Sequence, residues 1–209
     1  MKILIVAATQ AEIAPFIAQN SNPATEVLIT GVGITATTFA LTRHLLTHTY
    51  DLVLQVGVGG SFHTHIPLGS LLFITSDRFA DLGAEDHDEY LDIFDLGLLS
   101  PTQAPYQHGA LHTPILPIHQ SITLPTATGL TVNTVSGSHK TIAIRSRYAC
   151  TVESMEGAAL HYVCLQLAVP FAQVRSISNY VTPREKSLWK MKDAIINLNN
   201  WLIGFVEKL

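Results

Sequence analysis

Little of this sequence is charged, and none of the charge is arranged as a metal cluster or a basic face. Asp, Glu, Lys and Arg make up only 13% of the 209 residues, and the formal net charge is −4. A nucleic-acid backbone needs a basic surface, so this balance argues against nucleic acid as a partner. The two cysteines, Cys150 and Cys164, have neither disulfide nor metal-ligand spacing. They read as small buried apolar residues in a reducing compartment. Ten histidines are present, but none belongs to an H-E-x-x-H or Cys/His pattern. His63, His65 and His87, the last within Asp86-His87-Asp88-Glu89, read as solvated loop residues, and no metal or organic cofactor is implied. No apolar run approaches the roughly 20 residues of a membrane span. The short run in MKILIVAATQAEIAPF passes at once into a polar helix start, so a strand is expected there rather than a signal peptide. A cytoplasmic protein with no membrane partner is the expectation.

Apolar residues, at 47%, are plentiful instead. One domain spanning residues 1–209 is expected, with a large core. Its low-charge surface suggests a homo-oligomer. Residues 2–7 form a continuous apolar run and read as a central strand. Thr9 can cap a helix to about residue 19, with Ile13, Phe16 and Ile17 facing inward. Strands are expected at 26–30, 51–56, 68–75 and 130–135, with a helix over about 34–47. The glycine-rich stretch 57–61 is expected to close the third strand. Residues 77–121, rich in proline and weakly periodic, read as an irregular excursion that shapes a pocket or a subunit contact. Leu188, Met191, Ile195, Leu198, Leu202 and Phe205 predict an amphipathic helix over 187–207. Alternating strands and helices imply an α/β sandwich with a largely parallel sheet.

The informative stretch is 152–179, VESMEGAALHYVCLQLAVPFAQVRSISN. A helix follows Glu156, ends at Val169-Pro170, and leads into a short buried strand at 171–174. That strand ends in Arg175, Ser178 and Asn179, at the carboxyl end where open α/β sheets bind ligands. A carboxylate opening a helix and an amide closing the next strand can therefore reach one pocket. Read alone, Glu156 is a first-turn acid favoured by the helix dipole, and Asn179 is a turn residue. Gly31-Val32-Gly33-Ile34-Thr35-Ala36 fits G-x-G-x-x-A, but it follows the second strand and lacks the acid that closes the next one. It reads as a tight turn, and residues 57–60 lack the Lys-Ser/Thr of a P-loop.

M-E-G-A-A followed by V-R-S-I-S-N resembles the nucleoside phosphorylase and nucleosidase superfamily, whose element order can be followed over the whole chain. The segment Ser178-Asn179-Tyr180-Val181-Thr182-Pro183-Arg184, with Trp189 beyond it, is similar to the futalosine hydrolase subfamily, as is Asp81-Leu82-Gly83-Ala84-Glu85. The resemblance implies a three-layer αβα sandwich with a mixed, partly barrel-like and largely parallel central sheet. It also implies a nucleoside and water as reactants. Glu12 would activate the water, a role that suits an oxocarbenium-like reaction in which a weak nucleophile needs only a positioned base. Without the resemblance, Glu12 is a first-turn helix acid. Glu156 would accept both ribose hydroxyls and Met155 would pack on the sugar, although Met155 equally suits a core. Arg175 would pair with Glu156 or orient the water.

Asn179 departs from the Asp typical of nucleosidases that act on 6-aminopurines. An amide cannot be a general acid, but it can donate to O6 and N7 of a 6-oxopurine, so hypoxanthine or guanine is expected over adenine. Trp189 is either an aromatic lid or a core residue. Val135 falls near the base-contacting loop. Gly59 and Ser178 complete the candidate substrate-binding set. Futalosine carries a benzoate, for which Arg78, Arg145, Arg184 and Lys186 are candidates. A phosphorylase is the first alternative, but no basic residue lies between Lys2 and Arg43 to hold phosphate near Glu12. A 6-aminopurine nucleosidase and a nucleoside-binding protein without catalysis are the others.

Overall fold

A computed structural model describes residues 1–87 and 89–209, so Asp88 of the acidic stretch lies outside the described residues. Strand β1 (Ile3–Ala7) is buried along its whole length, which explains its unbroken apolar sequence. It is followed by α1 (Gln10–Gln19), β2 (Thr25–Ile29), α2 (Ile34–Leu45) and β3 (Leu52–Ser61). Next come β4 (Leu71–Asp77), β5 (Gly83–Asp86), β6 (Glu89–Asp92), β7 (Leu111–His112) and β8 (Thr126–Thr131). The chain closes with α3 (His139–Ser146), β9 (Val152–Ser154), α4 (Gly157–Gln166), β10 (Phe171–Tyr180) and α5 (Met191–Val206).

The central sheet runs β10-β4-β8-β9-β3-β1-β2, and β10 also pairs with β3. That extra pairing closes β3, β10, β4, β8 and β9 into a ring, with β1 and β2 extending from it. Pairings of β1 with β2 and β3, of β3 with β10, and of β8 with β4 and β9 are parallel. Those of β4 with β7 and β10, and of β3 with β9, are antiparallel. Successive side chains of β1 point to opposite faces. Ile3 and Ile5 pack with Ile13 and Phe16 of α1 and with Leu198, Leu202 and Phe205 of α5. Leu4 and Val6 pack with Leu41 and Leu45 of α2 and with Leu160, Val163 and Cys164 of α4. The fold is α/β, a mixed and mostly parallel sheet between helices, as the sequence predicts.

Several boundaries differ from expectation. The glycine-rich run 57–61 does not close β3 but forms its last half, paired with β10 throughout. Strand β10 runs from Phe171 to Tyr180, longer than the short run at 171–174, and carries Arg175, Ser178 and Asn179 in its second half. Ile17 is exposed rather than a core residue. Helix α5 begins at Met191, leaving Leu188 exposed and Trp189 before the helix. The excursion after β4 contains the β5–β6 hairpin, and β7 pairs with β4. His63, His65 and His87 are exposed, but His161 is fully buried in α4, with Nδ1 3.0 Å from the Leu111 carbonyl. Burial pushes its pKa down to about 4. Both cysteines are buried, and desolvation pushes the Cys150 thiol up to about 11. Among the described residues, no helix is long and apolar enough to cross a membrane, and no cluster of His, Cys, Asp or Glu is placed to hold a metal.

Candidate active site

A pocket of about 460 Å³ opens at the carboxyl end of β3, where three glycines reduce the strand to bare backbone. Glu12, Val135, Gly59, Met155, Glu156, Ser178, Asn179 and Trp189 all line it. Arg175 is buried behind them, bonded to Glu156. No described residue between Asp77 and Ser121 lines this pocket, so the excursion does not shape it within one chain.

Glu12 is fixed from three sides. Thr9 and Glu12 form a capping box at the start of α1. One carboxylate oxygen of Glu12 accepts from Thr9 N and Oγ1, each at 3.1 Å, and the other accepts from Val58 N at 3.1 Å. Behind it, α1 is kinked, with Ile13 non-helical and Pro15 inside the helix. The opened turn is held by Asn199 of α5. Its amide accepts from Phe16 N at 2.9 Å and donates to the Glu12 carbonyl at 2.8 Å, standing in for the direct bond between those groups.

Arg175 lies behind the pocket and holds Glu156. Its Nη1 lies 3.3 Å from Glu156 Oε2, and its Nη2 donates to Gln55 Oε1 at 2.9 Å. The other Glu156 oxygen accepts from Gly33 N at 3.1 Å, in a turn where Gly33 has φ +91°. The tight turn at Gly31–Gly33 therefore supplies a donor to the pocket. A Cβ on Gly57 would fall 2.6 Å from Arg175 Nη1 and 3.1 Å from Glu12 Oε1, so only glycine lets the two groups flank one point of β3.

At the other end, a β-bulge between Ile177 and Asn179 turns Ser178 and Asn179 into the pocket. Ser178 Oγ lies 2.8 Å from Asn179 Oδ1 and 3.2 Å from the Gly59 carbonyl. With Oδ1 occupied as an acceptor, Asn179 presents N–H groups; one donates to Tyr180 O at 3.1 Å and the other is available to a ligand.

Sequence reasoning missed Glu153, Ser136, Met191 and Ile195, which also line the pocket. Met191 and Ile195 belong to a periodic apolar stripe that reads as core-facing. Glu153 is one carboxylate among several polar residues of a short strand, and nothing in its spacing marks it. Of the basic residues considered for the substrate tail, Arg145 is buried against Glu153 and Asp81. Arg78 donates to the His108 carbonyl. Among the described residues Arg184 is the cation that lines the pocket, its guanidinium 4.9 Å from the Trp189 ring centre.

Comparison with known proteins identifies the family. Residues 23–207 match the family model for the phosphorylase superfamily. The futalosine hydrolase of Streptomyces coelicolor is 33% identical over 157 residues, covering 72% of this chain and 63% of the relative. That of Thermus thermophilus is 29% identical over 171 residues, covering 80% of this chain and 75% of the relative. The chain thus spans somewhat less than two thirds of the Streptomyces protein's length. A 5′-methylthioadenosine/S-adenosylhomocysteine nucleosidase from Neisseria meningitidis has the same fold, with a TM-score of 0.82 at 15% identity over 100% of this chain and 99% of that one. So does the futalosine hydrolase of Helicobacter pylori, with a TM-score of 0.75 at 17% identity over 100% and 98%. From its family match and its architecture, the chain belongs to the phosphorylase superfamily.

Proposed function

We propose that the protein is an N-ribosyl hydrolase that cleaves the ribose–purine bond of futalosine, releasing hypoxanthine and dehypoxanthine futalosine, a step of menaquinone biosynthesis. The observation that carries this reading is the convergence of Glu12, Glu156 and Asn179 on one pocket. Glu12 takes the proton of the attacking water as the ribose becomes oxocarbenium-like. The negative carboxylate also favours positive charge developing beside it. Glu156, oriented by Arg175, receives the ribose hydroxyls, and Met155 packs against the sugar. Asn179, oriented by Ser178, donates to the departing base and stabilises its growing negative charge. Val135 and Gly59 border the base and Trp189 covers the pocket. Arg184 receives the carboxylate of the substrate tail. No metal or organic cofactor has a step to perform.

Hydrolysis is favoured over phosphorolysis by charge. Glu12, Glu153 and Glu156 all line the pocket, and Arg175 is already engaged by Glu156 and Gln55. A phosphate dianion beside Glu12 would meet this repulsion, and Arg184, the cation that lines the pocket, is given to the substrate tail in this reading. The homo-oligomer reading rests on Val32 at the pocket rim and on Phe39 and Leu46 along α2, which are 55%, 65% and 68% exposed. Light scattering of the purified protein tests it.

Activity is tested by incubating the protein with futalosine, inosine and methylthioadenosine, with and without phosphate, and following free base by chromatography. Hypoxanthine released from futalosine at a rate indifferent to phosphate is the expected result. Release that requires phosphate would make the protein a phosphorylase, release of adenine would reverse the reading of Asn179, and tight binding without turnover would leave a binding protein.

A further inference from the structure

We propose that Glu153 is a specificity-determining residue that accepts a hydrogen bond from the N1–H of a 6-oxopurine. It rests on the nucleosidase reading above and adds a second reader to the base end of the pocket.

The register of the sheet carries the argument. Asn179 of β10 stands opposite Gly60 of β3, and Gly60 stands opposite Glu153 of β9. Residues opposite one another on adjacent strands share a face, and strands lie about 4.8 Å apart, so the Asn179 and Glu153 backbones are separated by roughly 10 Å. The residue between them has no side chain. A Cβ at Gly60 would come within 3.0 Å of Asn179 Nδ2 and 3.1 Å of a Val181 methyl. The sheet therefore offers a bare floor with an amide donor on one flank and a carboxylate acceptor on the other. All three residues line the pocket.

The Glu153 carboxylate is held rigidly and is incompletely used. Oε1 accepts from Ser136 N at 2.8 Å. Oε2 accepts from Ser136 Oγ at 2.5 Å and from Arg145 Nη1 at 3.2 Å. Arg145 is itself fixed by Ser136 Oγ at 2.8 Å and by Asp81 at 3.6 Å. A carboxylate has about four acceptor positions, and these contacts fill one on Oε1 and two on Oε2. The remaining position on Oε1 has no partner among the described residues.

Donor and acceptor in this order match the O6/N1–H edge of a 6-oxopurine. The free N–H of Asn179 donates toward O6, and Glu153 accepts from N1–H. A 6-aminopurine reverses both signs: its N6 amino group faces the Asn179 donor and its bare N1 faces the carboxylate. Two mismatches in one enclosed site reject adenine more strongly than either alone. Exchanging Asn179 for Asp corrects only one of them.

Product inhibition tests the assignment without requiring an altered substrate to react. Hypoxanthine, 1-methylhypoxanthine and adenine are titrated against futalosine hydrolysis by the parent, Glu153→Ala and Ser136→Ala. In the parent, methylation of N1 is expected to weaken inhibition about 10- to 100-fold, the range of a hydrogen bond to a charged group. In Glu153→Ala the methylation penalty should fall below about 3-fold, because the acceptor is gone. In Ser136→Ala, which disturbs the clamp but leaves the carboxylate, the penalty should persist. A Glu153→Ala enzyme that weakens all three bases alike and keeps the penalty would overturn the proposal and leave a structural role. If Glu153→Ala does not fold because Arg145 is left unpaired, the parent still decides, since equal inhibition by hypoxanthine and its 1-methyl derivative excludes an N1–H contact. Failure of the parent to release purine from any nucleoside would instead remove the nucleosidase reading itself.

Discussion

Two carboxylates meet at the first turn of α4, one on its pocket side and one on its core side, and the fold treats them in opposite ways. Glu156, on the pocket side, has Arg175 at 3.3 Å and the Gly33 amide at 3.1 Å. Asp77, on the core side, is completely buried. Its Oδ1 accepts from Thr131 Oγ1 and from Arg78 N, both at 2.8 Å, but its Oδ2 has no partner. Desolvation pushes its pKa up to about 6. The two are separated by Gly157, whose missing Cβ would collide with Asp77 Oδ2 and Gln173 Nε2. The lesson is one of allocation. The guanidinium is given to the carboxylate that faces the pocket, and the one behind the helix moves toward its neutral form. Substitutions on the pocket side should therefore appear in catalysis and binding, and those on the core side in the pH dependence of stability.

The largest effect is expected from Glu12→Gln. The amide oxygen can still accept from Thr9 N and Oγ1, with only the bond from Val58 N lost, so the fold should be kept, but it cannot take a proton from water. We expect kcat for purine release to fall by about 10²- to 10⁴-fold with KM nearly unchanged. Steady-state kinetics under saturating substrate measures this. A kcat within a few-fold of the parent would remove Glu12 as the base.

Glu156→Ala breaks the comparison at its other pocket-side member. Arg175, only 1% exposed, would lose its ion pair in the interior. Removing one partner of a buried pair costs about 3–5 kcal/mol, which urea unfolding should detect. Glu156→Gln keeps a hydrogen bond to Arg175 and should restore much of that stability while still weakening nucleoside binding. If both variants bind nucleoside like the parent, the ribose role of Glu156 is wrong.

Asp77→Asn tests the core side. A carboxyl whose pKa rises from 3.8 to about 6 on folding contributes stability below pH 4 and loses it as pH climbs through 6. His161 works against it in the same window. Its pKa falls from 6.5 to about 4, so its contribution is present above pH 6.5 and lost as pH falls toward 4. The asparagine keeps the acceptor for Thr131 and Arg78 N and never ionises. Relative to the parent, the variant should gain up to about 3 kcal/mol above pH 6 and almost nothing at pH 4. Its stability should then rise steadily between pH 4 and 6.5, following His161 alone. The charged and titratable groups that act on Asp77 are Arg78, Cys150 and Arg175, and only the last is committed to the pocket. An equal gain at both pH values would show that folding leaves the pKa of Asp77 unchanged.

The pocket side was the more legible of the two in the sequence, for a local reason. Glu12, Met155, Glu156 and Asn179 sit in short motifs beside strands whose apolar runs are plain. The alternation of strand and helix was enough to predict a mostly parallel α/β fold. The extent of β3 was misread because glycine reads as a strand terminator, although here bare backbone is what lets Arg175 and Glu12 approach. Glu153 and Asp77 escaped notice because their partners come from other strands and no periodicity links them. Trp189 falls within the expected helix because Leu188 extends the apolar spacing of α5 by one turn beyond its true start at Met191.

Asn199 is the most remote of these omissions, and its replacement is the mildest way to sharpen the comparison. It reads as a polar interruption of an apolar helix, yet it bonds across 187 positions to the carbonyl of Glu12. Asn199→Ala removes a side-chain bridge whose two ends, Phe16 N and Glu12 O, can recover part of the loss by closing the turn of α1 onto each other. Pro15 limits how far that turn can close. The net cost should therefore be about 1–2 kcal/mol, less than leaving two buried groups unpaired. The catalytic cost should be separable from it. Closing the turn moves Glu12 relative to Glu156 without touching Glu156 or Arg175, so kcat should fall about 10-fold while KM stays constant. A rise in KM at constant kcat would mean that the kink sets the width of the pocket rather than the position of the base.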